Sequence, residues 1–382
     1  VKKGYTILFS AIVIAMLILP TTVNTSIAQA ISSTGPTAIP GTLIPPLDPN
    51  ILPISPIIPN LGTVSIAVPI SVYSITQIKS GQDASDPLTN VQTQQQLMAN
   101  SQYWIYGGDA PVFNAPYAFF QDSQGLHIDV QAPSDGMWTG YYAVTPNTNA
   151  VLYHAVITTP VRTISTPNDF YENGLYVQTS QPFINYVACF SSTSVAGTSW
   201  AVGAVTGNAT DGTQFNVLWA DTSLNQPLTR DCTIITNGNN YLKVYLDGVM
   251  VYSSNALNLQ MPAPFNAYLE PQSSYAGQML DGIYKDYYSA TGETVKVTHN
   301  PLLAATVKLV DPNGTVLASR PVDSTHTATL NVGAFHFPLV AYIKIYDSLG
   351  NQLASTSSPV NIFGGDVYNV KSNISLGPIG LP

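Results

Sequence analysis

The chain is predicted to be all-β: a two-sheet jelly-roll sandwich followed by a smaller β-sandwich. Three observations point there. From Tyr103 to about Tyr288, apolar residues alternate with polar or aromatic ones in short runs separated by Gly, Asn, Asp, Ser and Pro, which is the period and spacing of sandwich strands. Residues 241–252 hold two such runs around Asp247-Gly248. An Asp-Gly loop of this kind is a strong hairpin signal, because both loop residues must take positive φ. Within that span no amphipathic helical period appears, and about twelve strands in roughly 185 residues suit a jelly roll.

Taken in order, residues 1–30 read as an export signal. Lys2 and Lys3 give a positive start, and Ala28-Gln29-Ala30 fits a small-x-small cleavage site. The apolar stretch from Ile7 to Leu19, about 13 residues, is short of the roughly 20 that span a bilayer. Cleavage after Ala30 would release a secreted, cell-surface-associated chain. Retention as an anchor would be its one membrane contact. No Cys follows the leader, so a lipid anchor is not expected, and the initial Val reads as an alternative start codon of a prokaryote.

Residues 31–100 are assigned to a Pro-rich stalk. Pro36, Pro40, Pro45, Pro46, Pro49, Pro53, Pro56, Pro59 and Pro69 leave little room for helix or central strand and favour polyproline II. Ile and Leu between them make the stalk adhesive enough to lie along a domain or a neighbouring copy, so an oligomer is compatible with it. Val72 to Ile78 is a candidate first strand, and the run from Gln92 to Gln96 a candidate short helix.

Residues 101–290 form the larger sandwich. Its strands are expected near 117–120, 126–131, 138–145, 151–158, 174–179, 184–190, 200–205, 214–220, 233–235, the central hairpin and 282–288. Residues 291–372 form the second unit, and 373–382 a tail without an apolar span. The second unit contains an echo: Lys308-Leu-Val-Asp-Pro-Asn-Gly-Thr-Val-Leu-Ala-Ser319 against Lys344-Ile-Tyr-Asp-Ser-Leu-Gly-Asn-Gln-Leu-Ala-Ser355. Matching offsets of Lys, Asp, Gly, Leu, Ala and Ser mean a repeated strand–turn–strand unit.

Composition narrows the partners. Hydrophobic residues make up 45%, enough for real cores, and charged residues only 9%, against about 25% in an average soluble protein. With 12 basic and 21 acidic residues, a net charge of −9 and no basic patch, nucleic acid is not an expected partner. Cys189 and Cys232 are the only cysteines. An exported chain with one pair is expected to join them, closing a loop of roughly 40 residues. Asn208-Ala-Thr, Asn313-Gly-Thr and Asn373-Ile-Ser are sequons that an archaeal or eukaryotic export route would recognise.

The run from Gly238 through Tyr241-Leu-Lys-Val-Tyr-Leu-Asp-Gly248 resembles the late hairpin of the concanavalin A-like and laminin-G-like superfamily of lectins and glucanases. Leu126-His-Ile-Asp-Val130 resembles an early strand of the same domains. The repeated hairpins of 291–372 resemble the immunoglobulin-like accessory domains of exported prokaryotic proteins. The first resemblance implies the fold; the aromatic, thinly charged composition and the lack of a catalytic cluster favour a non-catalytic role, with a glycan or cell-surface polymer as partner or a structural place at the surface.

A second resemblance implies an enzyme. Glutamic peptidases share this sandwich and pair a Gln with a Glu, the Glu as general base and the Gln supporting the oxyanion. Trp138-Thr-Gly-Tyr141, Thr159-Pro-Val161, Tyr176-Val-Gln178 and Ala267-Tyr-Leu-Glu270 follow in that family's order, which would make Gln178 and Glu270 the catalytic pair of an acid-active hydrolase. The family's Trp-Tyr-Glu-Trp run is absent.

For a glycosidase the superfamily's Glu-x-Asp-x-Glu strand is absent, and no spacing singles out a pair from Asp129, Asp135, Asp221, Glu172 and Glu270. The only glutamates are Glu172, Glu270 and Glu293. Trp104, Trp138, Trp200 and Trp219 are split between core packing and sugar stacking, with Trp138, Tyr141 and Tyr176 the expected binding aromatics. His127, His154, His299, His326 and His336 lie apart, without metal-type spacing. The acidic loop carrying Asp129 and Asp135 has two readings, a solvated turn or an oxygen cage for Ca²⁺.

Overall fold

The computed structural model describes residues 70–375 apart from 101–102, 109–117, 162, 180–184, 207–213, 222, 224–225, 334 and 336–338. The leader, most of the stalk, the end of the tail, Asn208 and His336 lie outside the described residues.

The larger sandwich is built as alternation predicts. One sheet has seven strands in the order β11 (Gln214–Ala220), β10 (Gly197–Thr206), β9 (Tyr186–Ser194), β8 (Tyr171–Thr179), β15 (Phe265–Ser273), β6 (Thr139–Val144) and β3 (Ile105–Gly108). The other runs β14 (Val249–Ser254), β13 (Leu242–Leu246), β12 (Thr229–Thr236), β7 (Leu152–Thr158), β16 (Leu280–Ala290), β5 (Gly125–Val130) and β4 (Phe119–Asp122), with β2 (Gln82–Asp86) beside β16. The central hairpin is β13–β14, and its loop residues Asp247 and Gly248 have φ of 51° and 74°, the left-handed pair a type I′ turn requires.

Every second residue of each sheet faces a shared core. Tyr171, Leu175 and Val177 of β8 and Ala267 and Leu269 of β15 meet Tyr153, Ala155 and Ile157 of β7 and Val244 of β13 there. Trp200 is fully buried and donates its indole N–H to the Pro227 carbonyl at 2.8 Å, so its polar edge is satisfied. Cys189 on β9 and Cys232 on β12 form a disulfide across this core, 43 residues apart in sequence. The bond ties one sheet to the other.

The smaller sandwich pairs a four-stranded sheet, β1 (Ile70–Lys79), β24 (Val367–Ser375), β17 (Thr294–Thr298) and β20 (Ala328–Asn331), with a five-stranded one. The latter runs β19 (Val316–Pro321), β18 (Ala304–Val310), β21 (Leu339–Asp347) and β22 (Gln352–Ser355), with β23 (Val360–Ile362) on β21. The repeated hairpins are β18–β19 and β21–β22, and Lys308 sits opposite Lys344 where β18 meets β21. Each turn is closed the same way: the Asp311 carboxylate accepts the Thr315 N–H at 2.6 Å and that of Asp347 the Asn351 N–H at 2.8 Å. Gly314 and Gly350 take φ of 92° and 86°.

Two expectations are corrected. The end of the assigned stalk is folded: β1 joins the smaller sandwich, β2 the larger, and α1 (Gln94–Asn100) follows. Tyr73 and Ile75 supply the reason, since they pack into the second core and proline is sparse beyond Pro69. The division near residue 290 is also softer than composition suggests. Leu152, Ile235, Tyr245 and Tyr288, on the outer face of the eight-stranded sheet, share one core with Val295, Val307, Leu330 and Ile343. Residues 71–375 belong to one compact unit.

Candidate functional site

The outer face of the seven-stranded sheet gathers the chemistry. Because Tyr171, Leu175 and Val177 point inward, the alternate residues of β8, namely Glu172, Gly174, Tyr176 and Gln178, point outward. On β15 the same rule puts Tyr268, Glu270 and Gln272 outward, and on β6 Gly140 and Tyr142. Tyr176, Ala188, Phe190 and Ala201 form a small apolar cluster on this face, flanked by half-buried Tyr186, Phe215 and Tyr268. Tyr176 and Tyr186 meet edge to face at 5.5 Å, as do Tyr142 and Tyr268 at 5.3 Å.

Two carboxyl groups sit within this aromatic surface. The β8–β15 ladder places Glu172 opposite Gln272 and Glu270 opposite Gly174, so the two glutamates are diagonal neighbours on one face, about 7–8 Å apart between backbones. Their surroundings differ. Glu172 is buried and hydrogen-bonded by Ser192, and burial outweighs that bond, pushing its carboxyl up to about 7. Glu270 is half-buried. Its Oε1 lies over Gly140, where a Cβ would come within 2.7 Å of it, and the Trp138 ring edge would lie 3.5 Å from that same Cβ. Trp138 is 45% exposed and donates its indole N–H to Gln272 Oε1 at 3.0 Å. The Tyr176 hydroxyl, buried and without a hydrogen-bond partner among the described residues, is pushed well above its usual range by burial and then by Glu172 and Glu270.

Of the expected binding aromatics, Trp138 lies at the surface and Tyr176 under it. Tyr141 does not: it is fully buried in the sandwich core against Phe119, because it is one residue out of phase with Trp138. The Gln178–Glu270 pair of the peptidase resemblance is not brought together. Gln178 stands opposite Asn266 and Glu270 opposite Gly174, an offset of four residues, or about 14 Å along the strands.

The remaining candidates fall elsewhere. Asn313 is exposed in the β18–β19 turn, and Asn373, exposed on β24, donates to Ser74 Oγ at 3.3 Å. Asp135 accepts the Ala276 N–H at 2.9 Å and Asp129 faces Asp281 across the ladder. Among the described residues no cluster of His, Cys, Asp or Glu is arranged to hold a metal ion. His127 is flanked by Asp281 at 3.1 Å and Asp122 at 3.2 Å. His154 is buried beside Asp231 at 2.9 Å.

No protein family and no curated protein matches this chain. Among solved structures it is similar to β-agarase A from Zobellia galactanivorans, at 11% identity and a TM-score of 0.42 over 57% of this chain and 93% of that one. It is also similar to LamAcat from Zobellia galactanivorans, at 11% identity and a TM-score of 0.40 over 55% and 97%. For the carbohydrate-binding module CBM66 from Bacillus subtilis the values are 9% and 0.29 over 49% and 95%. Likeness at this level says nothing of individual residues, whose chemistry stands on their own geometry.

Sequence reasoning had both Glu172 and Glu270 in hand but no spacing to join them. Gln272 and Tyr186 it missed as site residues. The usable signal was parity: within β8 and β15 the glutamates fall on the positions that alternate with buried Leu and Val.

Proposed function

We propose that this protein recognises glycan on the outer face of its seven-stranded sheet. The observation that carries the reading is the exposed Trp138 ring beside Glu270, its indole N–H tied to Gln272. An indole face offers an apolar platform to the C–H face of a sugar, while the neighbouring amide and carboxylates hydrogen-bond its hydroxyls. The thin charge of the chain, 9%, favours a neutral ligand over a polyanion. The Cys189–Cys232 disulfide supports a place outside the reducing cytosol.

Affinity electrophoresis through gels containing agarose, laminarin, xylan or alginate tests this reading. At least one polysaccharide should retard the native protein. Trp138→Ala should weaken that retardation about tenfold, the equivalent of about 1.4 kcal/mol, with its melting temperature kept. No retardation by any of the four, or equal retardation of the variant, would reject the assignment.

A further inference from the structure

We propose that this same face hydrolyses the glycosidic bonds of the glycan it binds, with Glu172 as the acid and Glu270 as the base. The proposal rests on the glycan reading above and goes past it, from recognition to an activity.

The geometry brings two carboxyl-bearing residues to one face of adjacent strands. Glu172 and Glu270 project from adjacent strands, offset by two residues, on one face. Diagonal neighbours of this kind lie about 7–8 Å apart, with the Cβ atoms somewhat closer. Carboxyl groups about 6.5–9.5 Å apart leave room for a water beside the scissile bond, whereas direct attack by a carboxylate needs about 5–5.5 Å. With Glu270 as base the attack is by water, and the anomeric carbon is inverted.

The two environments then divide the roles. Glu172 is buried, opposite Gln272 of β15 and Ser192 of β9, with Ser192 hydrogen-bonding its carboxyl. Burial pushes its carboxyl up to about 7, which favours the protonated form that a proton donor requires. Glu270 is half-buried beside the exposed Trp138, within reach of solvent water. Gly174 stands directly opposite it with no side chain. The one other glutamate, Glu293, is occupied by Lys243 at 3.1 Å and the Tyr241 hydroxyl at 2.9 Å. The Tyr176 hydroxyl, buried and without a hydrogen-bond partner among the described residues, feels both carboxyls.

The step balances without a co-reactant other than water. The water oxygen bonds to the anomeric carbon as the bond from that carbon to the leaving sugar's oxygen breaks. The departing oxygen keeps the electron pair and takes the Glu172 proton, while Glu270 takes a proton from the attacking water. Solvent then returns a proton to Glu172 and removes one from Glu270.

The test measures reducing ends released between pH 4 and 8 from whichever of agarose, laminarin, xylan or alginate retards the full chain, with Glu172→Gln and Glu270→Gln alongside. Cleavage should fall at least about 100-fold in each variant, with the β circular-dichroism signal of the folded chain kept. A 2,4-dinitrophenyl glycoside of the cleaved sugar, whose leaving group needs no proton, should restore turnover to Glu172→Gln and not to Glu270→Gln. A merely structural Glu172 would not show that rescue. Proton NMR of the first product should show the inverted anomer. Retardation without cleavage by the native chain overturns this proposal and leaves the binding reading standing. Cleavage that survives in either variant, or a retained anomer, overturns the assignment of the pair.

Discussion

At the scale of the residue, the site depends on what Gly140 lacks. A Cβ there would sit 2.7 Å from Glu270 Oε1 and 3.5 Å from the Trp138 ring, so glycine holds open the corner where carboxylate and indole meet. The atom in the way is the far end of a flexible side chain, so Gly140→Ala should displace the carboxylate at little cost. The expected result is a melting temperature within a few degrees of the parent and glycan binding weakened by about tenfold, or roughly 1.4 kcal/mol. Isothermal titration of the variant checks it, and unchanged affinity would mean Glu270 does not serve the site. Parity also explains one miss. Trp138, Gly140 and Tyr142 share the outer face, so Tyr141 had to enter the core, where it is fully buried. The motif Trp-x-Gly-Tyr drew attention to the right segment and to one wrong residue.

At the scale of the element, local patterns were legible and remote pairings were not. The β13–β14 hairpin could be read because its strands and its turn residues Asp247 and Gly248 are contiguous. The repeated turns at Asp311 and Asp347 could be read for the same reason. β15 was hidden by Pro271, which cannot donate to a ladder and argues against a central strand; here it sits opposite Asn173, between β8 and β6. Nor could any spacing reveal that β8 lies beside β15, since that pairing joins residues remote in sequence, and the Glu172–Glu270 diagonal exists only through it. The disulfide belongs to this scale because it ties β9 to β12. Replacing Cys189 and Cys232 together with Ala should cost about 2–4 kcal/mol, given a closed loop of 43 residues. The urea midpoint of the double variant measures it, and an unchanged midpoint would mean the sheets hold without the bond.

At the scale of the whole molecule, a few buried polar anchors join the sandwiches, and titration sets where the fold is firmest. Asp366, fully buried, accepts the N–H groups of Gly81 at 2.6 Å and Phe363 at 2.9 Å. It thereby pins the segment between β1 and β2 to the loop before β24. Asp366→Ala would leave both N–H donors, and the Tyr368 hydroxyl that donates to the same carboxylate at 3.3 Å, without that acceptor and should cost about 2–5 kcal/mol, read as a lower urea midpoint; a change under 1 kcal/mol would show that water replaces the carboxylate. The pH dependence has a sign that two groups share. Burial raises Glu172 from 4.5 to about 7, so its protonated form is favoured on folding. That contribution is fully present below 4.5 and lost as pH rises through about 7, worth about 3 kcal/mol at 1.36 kcal/mol per unit. For His127 burial is the largest single influence and lowers it, but Asp281 and Asp122 together outweigh it and raise the group above 6.5. Its contribution is likewise present below 6.5 and lost as pH climbs through the folded value. Asp122, Asp221, Asp323 and Asp347 run the other way, held down by hydrogen bonds and losing their contribution as pH falls below the usual carboxylate range. All four lie near solvent, where screening leaves such groups little weight. The fold should therefore be firmer at pH 5 than at pH 8, and tolerant of acid. Thermal melts across pH 4–9 should fall toward the alkaline side, and Glu172→Gln should flatten most of that slope. A native profile that rises with pH, or a variant that keeps the full slope, would remove Glu172 as its source.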